Sequence, residues 1–188
     1  GRQPVETRWY READREAAYE QLRSQLRAGR QAYVICPRVE GGEEAEARAA
    51  VEEAERLRRG PFAAFRVGLA HGAQHGDEKR AAMSAFAAGE THVLVATTVV
   101  EVGIDVANAT VMLIEDADRF GLAQLHQLRG RVGRGEHPGL CVLFAEPATE
   151  DGQRRLEAIT QTHDGFRLAE LDLELRGEGA VLGVRQAG

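Results

Sequence analysis

The feature that most constrains the fold is an alternation of short apolar runs with longer amphipathic segments. Apolar runs occupy 32–36, 64–69, 92–97, 110–115 and 140–146. The segments between them repeat apolar side chains at helical spacing. Unbroken apolar runs are typical of strands buried on both faces. The pattern therefore predicts an α/β fold of three layers, with a parallel central sheet between two layers of helices.

Three helices are predicted in the first half of the chain, at 12–28, 43–58 and 77–88. The side chains expected to face the core are Ala18, Leu22 and Leu26, then Ala47, Ala50, Val51, Ala54 and Leu57, then Ala82, Met83 and Phe86. The first run of the chain, VETRWY at 5–10, predicts an edge strand. Because ligands of parallel sheets bind beyond the carboxyl ends of the strands, we expect the functional loops to follow the strands.

The chain changes character after Pro147. Residues 150–162 and 164–171 carry helical patterns, and the stretch after them, LDLELRGEGAVLGVRQAG, is rich in glycine. Glycine in a helix interior costs about 1 kcal/mol relative to alanine. We therefore predict an ordered loop there, and two parts overall: a domain over 1–147 and a helical hairpin with a loop over 148–188.

Composition limits the classes of function. The chain has 188 residues and a net charge of −6, which suits one domain and argues against a wholly basic nucleic-acid coat protein. Cys36 and Cys141 lie in apolar runs, so buried thiols are expected rather than a disulfide or a metal site. No apolar run reaches the ~18 residues of a membrane span, and we expect a cytoplasmic protein with no membrane partner.

The segment QLRGRVGR, at 127–134, places several arginines and two glycines close together. On a continuous helix, Gln127, Arg131 and Arg134 would share one face. Arginine offers a planar fork of donors that matches phosphate oxygens. A basic helix end in solvent is the alternative, but the glycines favour an anion site, because they remove side chains where a ligand comes close.

A second segment, TTVVEVGID at 97–105, follows a predicted strand. Thr97 and Thr98 can donate hydroxyls to a phosphate backbone. Gly103 permits a sharp turn, and Asp105 can accept a hydrogen bond from a ribose hydroxyl. Taken alone, this segment fits an ordinary strand-to-helix loop equally well.

Together the two segments resemble motifs V and VI of superfamily 2 helicases. The longer stretches DRFGLAQLHQLRGRVGRG and DLELRGEGAVLGVRQAG resemble those of two related groups of branched-DNA motors, the RecG family and the transcription-repair coupling factor Mfd. The segments GRQPVET and RQAYVICPRVE, and Arg185 before Gln186, resemble RecG rather than Mfd. The resemblance extends along nearly the whole chain and implies that 1–147 is a second RecA-like helicase domain.

The resemblance implies roles at the nucleotide. Arg134 would be the arginine finger, with Arg131 beside it on the phosphates. Gln127 would line the same cleft, and Gly103 and Asp105 would contact ATP, the aspartate near the ribose. An arginine finger is worth about 10³–10⁵ in rate.

The resemblance also implies contacts to DNA. Thr97, Thr98 and His71 would face nucleic acid, and Arg176 and Gln186 would couple the two motor domains to movement on duplex DNA. The segment after His71, AQHGDEK, departs from the family pattern, which puts the DNA contacts of this loop in doubt. His126 would lie in the hairpin that leads into motif VI, and the resemblance gives it no definite role.

The sequence has no G-x-x-x-x-G-K-[ST] loop and no acidic magnesium box; the acid pair Glu115–Asp116 belongs to the connection between motifs V and VI. We therefore expect ATP and Mg²⁺ to be held mainly by a first motor domain of a longer, bacterial, nucleoid-associated protein. This chain alone would not hydrolyse ATP. The resemblance implies branched DNA, such as forks and Holliday junctions, and the N-terminal motor and wedge domains as partners of a monomer.

Three alternatives remain open on the sequence. The chain could be the corresponding lobe of Mfd. It could be a degenerate helicase lobe that serves only as a binding module, although loss of Arg131 and Arg134 would be expected there. It could also be a small-molecule α/β enzyme, but the G-x-G-x-x-G fingerprint after the first strand is missing.

Overall fold

Parallel strands form one sheet in the order β1-β6-β5-β2-β4-β3. The structure is a computed structural model that describes residues 4–97 and 105–187, with side chains of the last helix described as far as Arg176. The strands are β1 (Val5–Tyr10), β2 (Gln31–Cys36), β3 (Val67–Ala70), β4 (Val93–Thr97), β5 (Ala109–Ile114) and β6 (Gly139–Phe144). Every pairing in this sheet is parallel, and β1 is the predicted edge strand.

Helices cover both faces of the sheet. They are α1 (Arg15–Arg27), α2 (Gly42–Arg59), α3 (Gly76–Ala87), α4 (Leu122–Arg129), α5 (Glu150–Gln161) and α6 (Gly165–Ala187). One apolar cluster joins α1 and α2 to one face, and a second joins α3, α4, α5 and α6 to the other. The α/β fold with a parallel central sheet and two helical layers is therefore confirmed.

Strand β2 shows how the apolar runs serve both layers. Tyr33 and Ile35 belong to the cluster under α3 to α6, while Val34 and Cys36 belong to the cluster under α1 and α2. Successive side chains of a strand point to opposite faces, so a central strand needs apolar residues at every position. Both cysteines are buried and free, and burial raises the pKa of Cys141 to about 12.

Two local predictions need correction. Val51 was expected in the core, but it is 42% exposed, whereas Ala50, Ala54 and Leu57 of the same helix are buried. One residue along a helix is a rotation of about 100°, so Val51 lies outside the stripe that its neighbour Ala50 occupies. The third strand begins at Val67 rather than near residue 64.

The C-terminal loop is also corrected. The hairpin of α5 and α6 forms as expected, and Thr149 caps α5 by accepting a hydrogen bond from Gly152 N–H at 3.0 Å. However, α6 continues through Ala187 instead of giving way to a loop. Buried Leu168 and Leu175 anchor the first half of α6. Once a helix is nucleated it gains one hydrogen bond per added residue, so the cost of its glycines does not end it.

No helix in the described part of the chain is long and apolar enough to cross a membrane. The boundary at 147/148 between a motor domain and a separate C-terminal part stays a prediction. Leu156, Ile159 and Leu168 belong to the same apolar cluster as the sheet residues, so α5 and α6 pack directly on the domain.

Candidate functional site

The predicted site residues lie at two opposite ends of the sheet. His71 follows β3 directly and Thr97 ends β4, so both lie at the carboxyl end. Asp105 and Arg134 come shortly before β5 and β6, so they lie at the amino end. The arginine segment therefore lies at the end of the sheet opposite to the one where functional loops were expected. The reason is that α4 runs back across the sheet, so its last turn lies at the amino end.

The arginine segment is not one helix. Helix α4 ends at Arg129, and the chain then turns, with Gly133 at φ 80°. The helical phase expected for Arg131 and Arg134 is therefore wrong. Gln127, Arg131 and Arg134 nevertheless line one surface cavity of about 600 Å³. The turn, rather than a helix face, brings the three side chains together.

Arg134 is held at this cavity by two contacts. Its Nη1 donates to Asp105 Oδ2 at 2.8 Å, and its Nε donates to the carbonyl of Gly130 at 2.9 Å. The ion pair is open to solvent, with the Arg134 side chain 38% exposed and that of Asp105 59% exposed. Two residues predicted to contact different parts of one nucleotide thus lie side by side.

Gly135 explains how these two segments come so close. A Cβ at Gly135 would lie 2.8 Å from the carbonyl oxygen of Ala107 and 3.1 Å from its Cβ. Only glycine therefore lets the chain after Arg134 pack on the chain after Asp105. The contact is between backbone segments, so the relative position of the two candidate residues depends on it.

Arg129 has a different role from its neighbours. It is 2% exposed, and its Nη1 donates to the carbonyl of Ile159 at 2.6 Å. Its Nη2 lies 2.9 Å from His126 Nδ1, which must accept, because a guanidinium only donates. Burial lowers the pKa of Arg129. Arg129 joins α4 to α5 and to Thr7 of β1, so it stabilises the lobe. His126 takes part in this structural contact by accepting a hydrogen bond from Arg129.

The carboxyl end holds the residues predicted to contact DNA. Thr97 is 3% exposed, and its hydroxyl has no hydrogen-bond partner among the residues that the structure describes. His71 is half-buried, and its Nδ1 accepts from the N–H of Ala73 at 3.2 Å. Burial lowers the pKa of His71, which favours the neutral ring with a donor left on Nε2. Contact of either residue with DNA stays a prediction; Thr98 and Gly103 lie outside the described residues.

Glu115, the acid at the end of β5, has a partner that the sequence does not indicate. Glu115 accepts two hydrogen bonds from Arg15, both at 2.9 Å. Burial alone would lower the pKa of Arg15, but its hydrogen bonds to Glu115 and Glu12 raise it. No sequence pattern links residues one hundred positions apart, so this pair could only be found in the structure. Among the described residues, no cluster of His, Cys, Asp and Glu side chains could hold a metal ion.

Arg176 contacts the start of the helix that carries Gln127. Its Nη2 lies 3.1 Å from Asp172 Oδ2, and Asp172 Oδ1 accepts from the N–H of Leu122 at 3.4 Å. A Cβ on Gly121 would meet Arg176 Nη2 at 2.8 Å. Asp172 is 6% exposed and was missed, although its i, i+4 spacing from Arg176 was visible in LDLELR. Gln186 lies in α6, but its side chain is outside the described part.

The comparisons with known proteins show which family the chain belongs to. The helicase conserved C-terminal domain family matches residues 15–136, which include Thr97, Asp105, Arg131 and Arg134. The chain belongs to the helicase C-terminal domain family. The match ends before α5, so the helical hairpin lies outside the span that the family shares.

Longer relatives match the whole chain of this helicase C-terminal domain. It is 48% identical over 188 residues to the ATP-dependent DNA helicase RecG of Synechocystis sp., and 48% identical over 190 residues to that of Bacillus subtilis. It spans 23% and 28% of the lengths of these two relatives. A solved structure of RecG bound to a three-way DNA junction superposes over 96% of this chain and 23% of that chain. The TM-score is 0.78 and the identity 42%.

Proposed function

We propose that this domain is the second motor lobe of an ATP-dependent translocase that moves on double-stranded DNA and remodels stalled replication forks and Holliday junctions, by branch migration and fork regression, in DNA repair and recombination. The observation that carries the proposal is the shared cavity of Gln127, Arg131 and Arg134, in which Arg134 is paired with Asp105. A degenerate lobe kept only for binding would have no reason to retain both arginines at one cavity.

Arg134 is suited to serve as the finger. Its partner in this structure is a half-exposed carboxylate, and ion pairs of that kind are worth about 0–1 kcal/mol. A phosphate group can replace that carboxylate at little cost, and arginine binds phosphate through parallel hydrogen bonds. Arg131, which lines the same cavity, would bind the phosphates beside it, and Asp105, once released, would accept from the ribose. The charge that develops on the transferring phosphoryl group would then be stabilised from across the cleft.

The first motor domain would hold the phosphates and Mg²⁺ in this scheme. The described residues of this chain fit the side of an ATP site that faces the first motor domain across the cleft. Among them, the cavity presents arginines and a glutamine but no acidic cluster. Arginines that face phosphates are expected in the second motor domain, whereas the acidic residues that bind Mg²⁺ are expected in the first. Gly103 belongs to the same proposed nucleotide contact.

DNA would bind at the other end of the sheet. The resemblance assigns Thr97, Thr98 and His71 to that contact, and β3 and β4 place His71 and Thr97 at one edge. The Nε2 donor of neutral His71 is suited to a phosphate oxygen. The buried position of Thr97 makes it the weaker of these assignments.

Coupling between the two ends would pass through the hairpin. Arg176 and Asp172 contact the first residues of α4, and the last residues of α4 lead to Arg131 and Arg134. A displacement of α6 would therefore reach the cavity through one rigid helix. Gln186 is assigned to the same coupling by resemblance.

We propose a bacterial protein of the cytoplasm that acts on branched DNA at the nucleoid as a monomer. Its N-terminal motor and wedge domains would precede this lobe in a longer chain. The support is the bacterial source of the RecG relatives, the fraction of their length that this chain spans, and the junction in the solved RecG structure.

The decisive experiment is Arg134→Ala in the longer protein, measured as ATP hydrolysis with and without forked DNA. We expect DNA to stimulate the unchanged protein and the substitution to lower kcat by about 10³-fold or more, while a fluorescent ATP analogue still binds. Arg59→Ala, at an arginine that is 83% exposed and does not line the cavity, is the matched control and should hydrolyse normally. Normal turnover by Arg134→Ala would contradict the finger assignment.

A further inference from the structure

The amino end of the sheet contains a buried amide that the proposed function does not use. Gln31, the first residue of β2, is 4% exposed. Its Nε2 donates to the carbonyl of Phe86 at 2.7 Å and to that of Thr91 at 2.9 Å. Both amide protons are therefore satisfied by backbone on the α3 side, which fixes the direction of the side chain.

The oxygen of this amide points to the segment that carries Asp105. Gln31 Oε1 accepts from Asn108 Nδ2 at 3.1 Å, and the same Nδ2 donates to the carbonyl of Gly29 at 2.8 Å. The main chain adds a further link, because Gln31 N–H donates to the Asn108 carbonyl at 3.0 Å. Asn108 is thus held at three points by the turn between α1 and β2.

The strand pairing is irregular at the same place. Gln31 pairs with Ala109, but Ala32 pairs with Val111, so Thr110 is an extra residue in β5. Bulges of this kind re-aim the chain and recur next to active sites. The segment before the bulge is a tight turn, closed by a hydrogen bond from Ala109 N–H to the Val106 carbonyl at 3.0 Å.

This turn is also the surface on which the arginine segment packs. Ala107 lies between Asp105 and Asn108, and it is the residue that Gly135 approaches. Fixing Asn108 therefore fixes Ala107, and Ala107 sets where Gly135 and its neighbour Arg134 can lie. The ion pair of Arg134 with Asp105 is too exposed to hold both segments by itself.

We infer that Gln31 and Asn108 are positioning residues of the nucleotide site: their amide pair holds the 105–109 turn in the register that sets Asp105 and Arg134 side by side. This inference rests on the proposed function, since it concerns how that site is assembled. Neither residue lines the cavity with Gln127 and Arg131, so the effect is indirect. Geometry at such sites is demanding, and a displacement of about 1 Å can cost about 10²-fold in rate.

The test is Asn108→Ala in the longer protein, with the KM for ATP, kcat and the affinity for forked DNA measured together. Hydrogen exchange of the 105–110 amides is followed in the absence of nucleotide. We expect faster exchange there, a KM for ATP raised about tenfold, and unchanged DNA affinity, because DNA is assigned to the opposite end of the sheet. Asn108→Asp keeps the size and the acceptors but loses the Nδ2 donor, and it should behave in the same direction.

The control is Gln153→Ala, which removes an exposed amide contact to Glu157 on α5 and should change none of these readouts. Unchanged exchange or an unchanged KM in both Asn108 variants would overturn the positioning role. Failure of the proposed function is distinguishable, because it would appear as normal ATP turnover in Arg134→Ala and Asp105→Ala, whatever the exchange of the turn.

Discussion

Arg134 Nη1 lies 2.8 Å from Asp105 Oδ2, although 28 residues separate them in the chain. The two residues belong to loops that precede neighbouring strands, and the parallel pairing of β5 with β6 brings these loops together. In the proposed function each contacts a different part of ATP. Their pairing without nucleotide would keep the finger close to the position in which it is needed.

Asp105→Asn should separate binding from stability. The carboxylate is more than half exposed, so its loss should change the free energy of unfolding of this chain by less than about 1 kcal/mol. In the longer protein the same change should raise the KM for ATP several-fold, because the amide accepts more weakly from a ribose hydroxyl. Thermal unfolding and steady-state kinetics check the two expectations. A large loss of stability with an unchanged KM would instead assign Asp105 a structural role.

Arg129→Met should destabilise the lobe. The change removes the donors to the Ile159 carbonyl and to His126 Nδ1 in a site that is 2% exposed. Leaving buried acceptors unsatisfied should cost about 2–4 kcal/mol, measured by urea unfolding. Arg59→Met, at an arginine that is 83% exposed, serves as the control and should stay within about 0.5 kcal/mol of the unchanged chain. Equal stability of the two variants would refute the structural role of Arg129.

Asp172→Asn should weaken the link between α6 and α4. The substitution keeps an oxygen for the N–H of Leu122. It removes the charge that holds Arg176 beside Gly121 at the start of α4 and that also lies 3.9 Å from Arg155 Nε of α5. In the longer protein we expect ATP hydrolysis to persist while unwinding of forked DNA falls about tenfold, and Arg176→Ala should have the same effect. Glu157→Gln on α5 is the matched acid-to-amide control. A parallel fall of hydrolysis and unwinding would show that the contact serves the ATP site and not the coupling.

His71 should give a measurable pH dependence. Burial lowers its pKa in the folded chain, so the unfolded chain binds the proton more readily. Its contribution to the free energy of unfolding is therefore complete above the ordinary pKa of about 6.5 and is lost as the pH falls through that value and through the folded pKa. His71→Gln should remove this part of the pH dependence. An NMR titration that finds the pKa of the His71 ring at or above its ordinary value would contradict the proposed effect of burial.

Much of the fold was predictable because burial on both faces leaves a direct trace in the sequence. β2, β4, β5 and β6 are buried at every position and mostly apolar, and each was predicted within two residues of its observed bounds at either end. The sequence does not predict that Val51 is exposed, because an apolar side chain does not by itself show which side of the helix it lies on. The sequence does not predict the end of α6, because local glycine content does not show the cooperative extension of a helix.

The site was predictable in its residue types more than in its geometry. QLRGRVGR indicated arginines held for phosphate, and Arg131 and Arg134 do share a cavity. The spacing of the arginines could not distinguish these two from Arg129, which lines the same cavity but whose guanidinium is buried against Ile159 and His126. The sequence gives the charge of each side chain, but the burial of a side chain depends on which other residues pack over it.

The sequence by itself determined the alternation of strands and helices, the parallel sheet and the pair of arginines near two glycines. These depend on local properties: apolar periodicity, backbone freedom and side-chain chemistry. Only the tertiary structure decided that Arg134 meets Asp105, that Glu115 meets Arg15, and that Gln31 holds Asn108. Each of these contacts joins residues far apart in the chain. Strand order and helix direction set such distances, and both arise from how the whole chain packs.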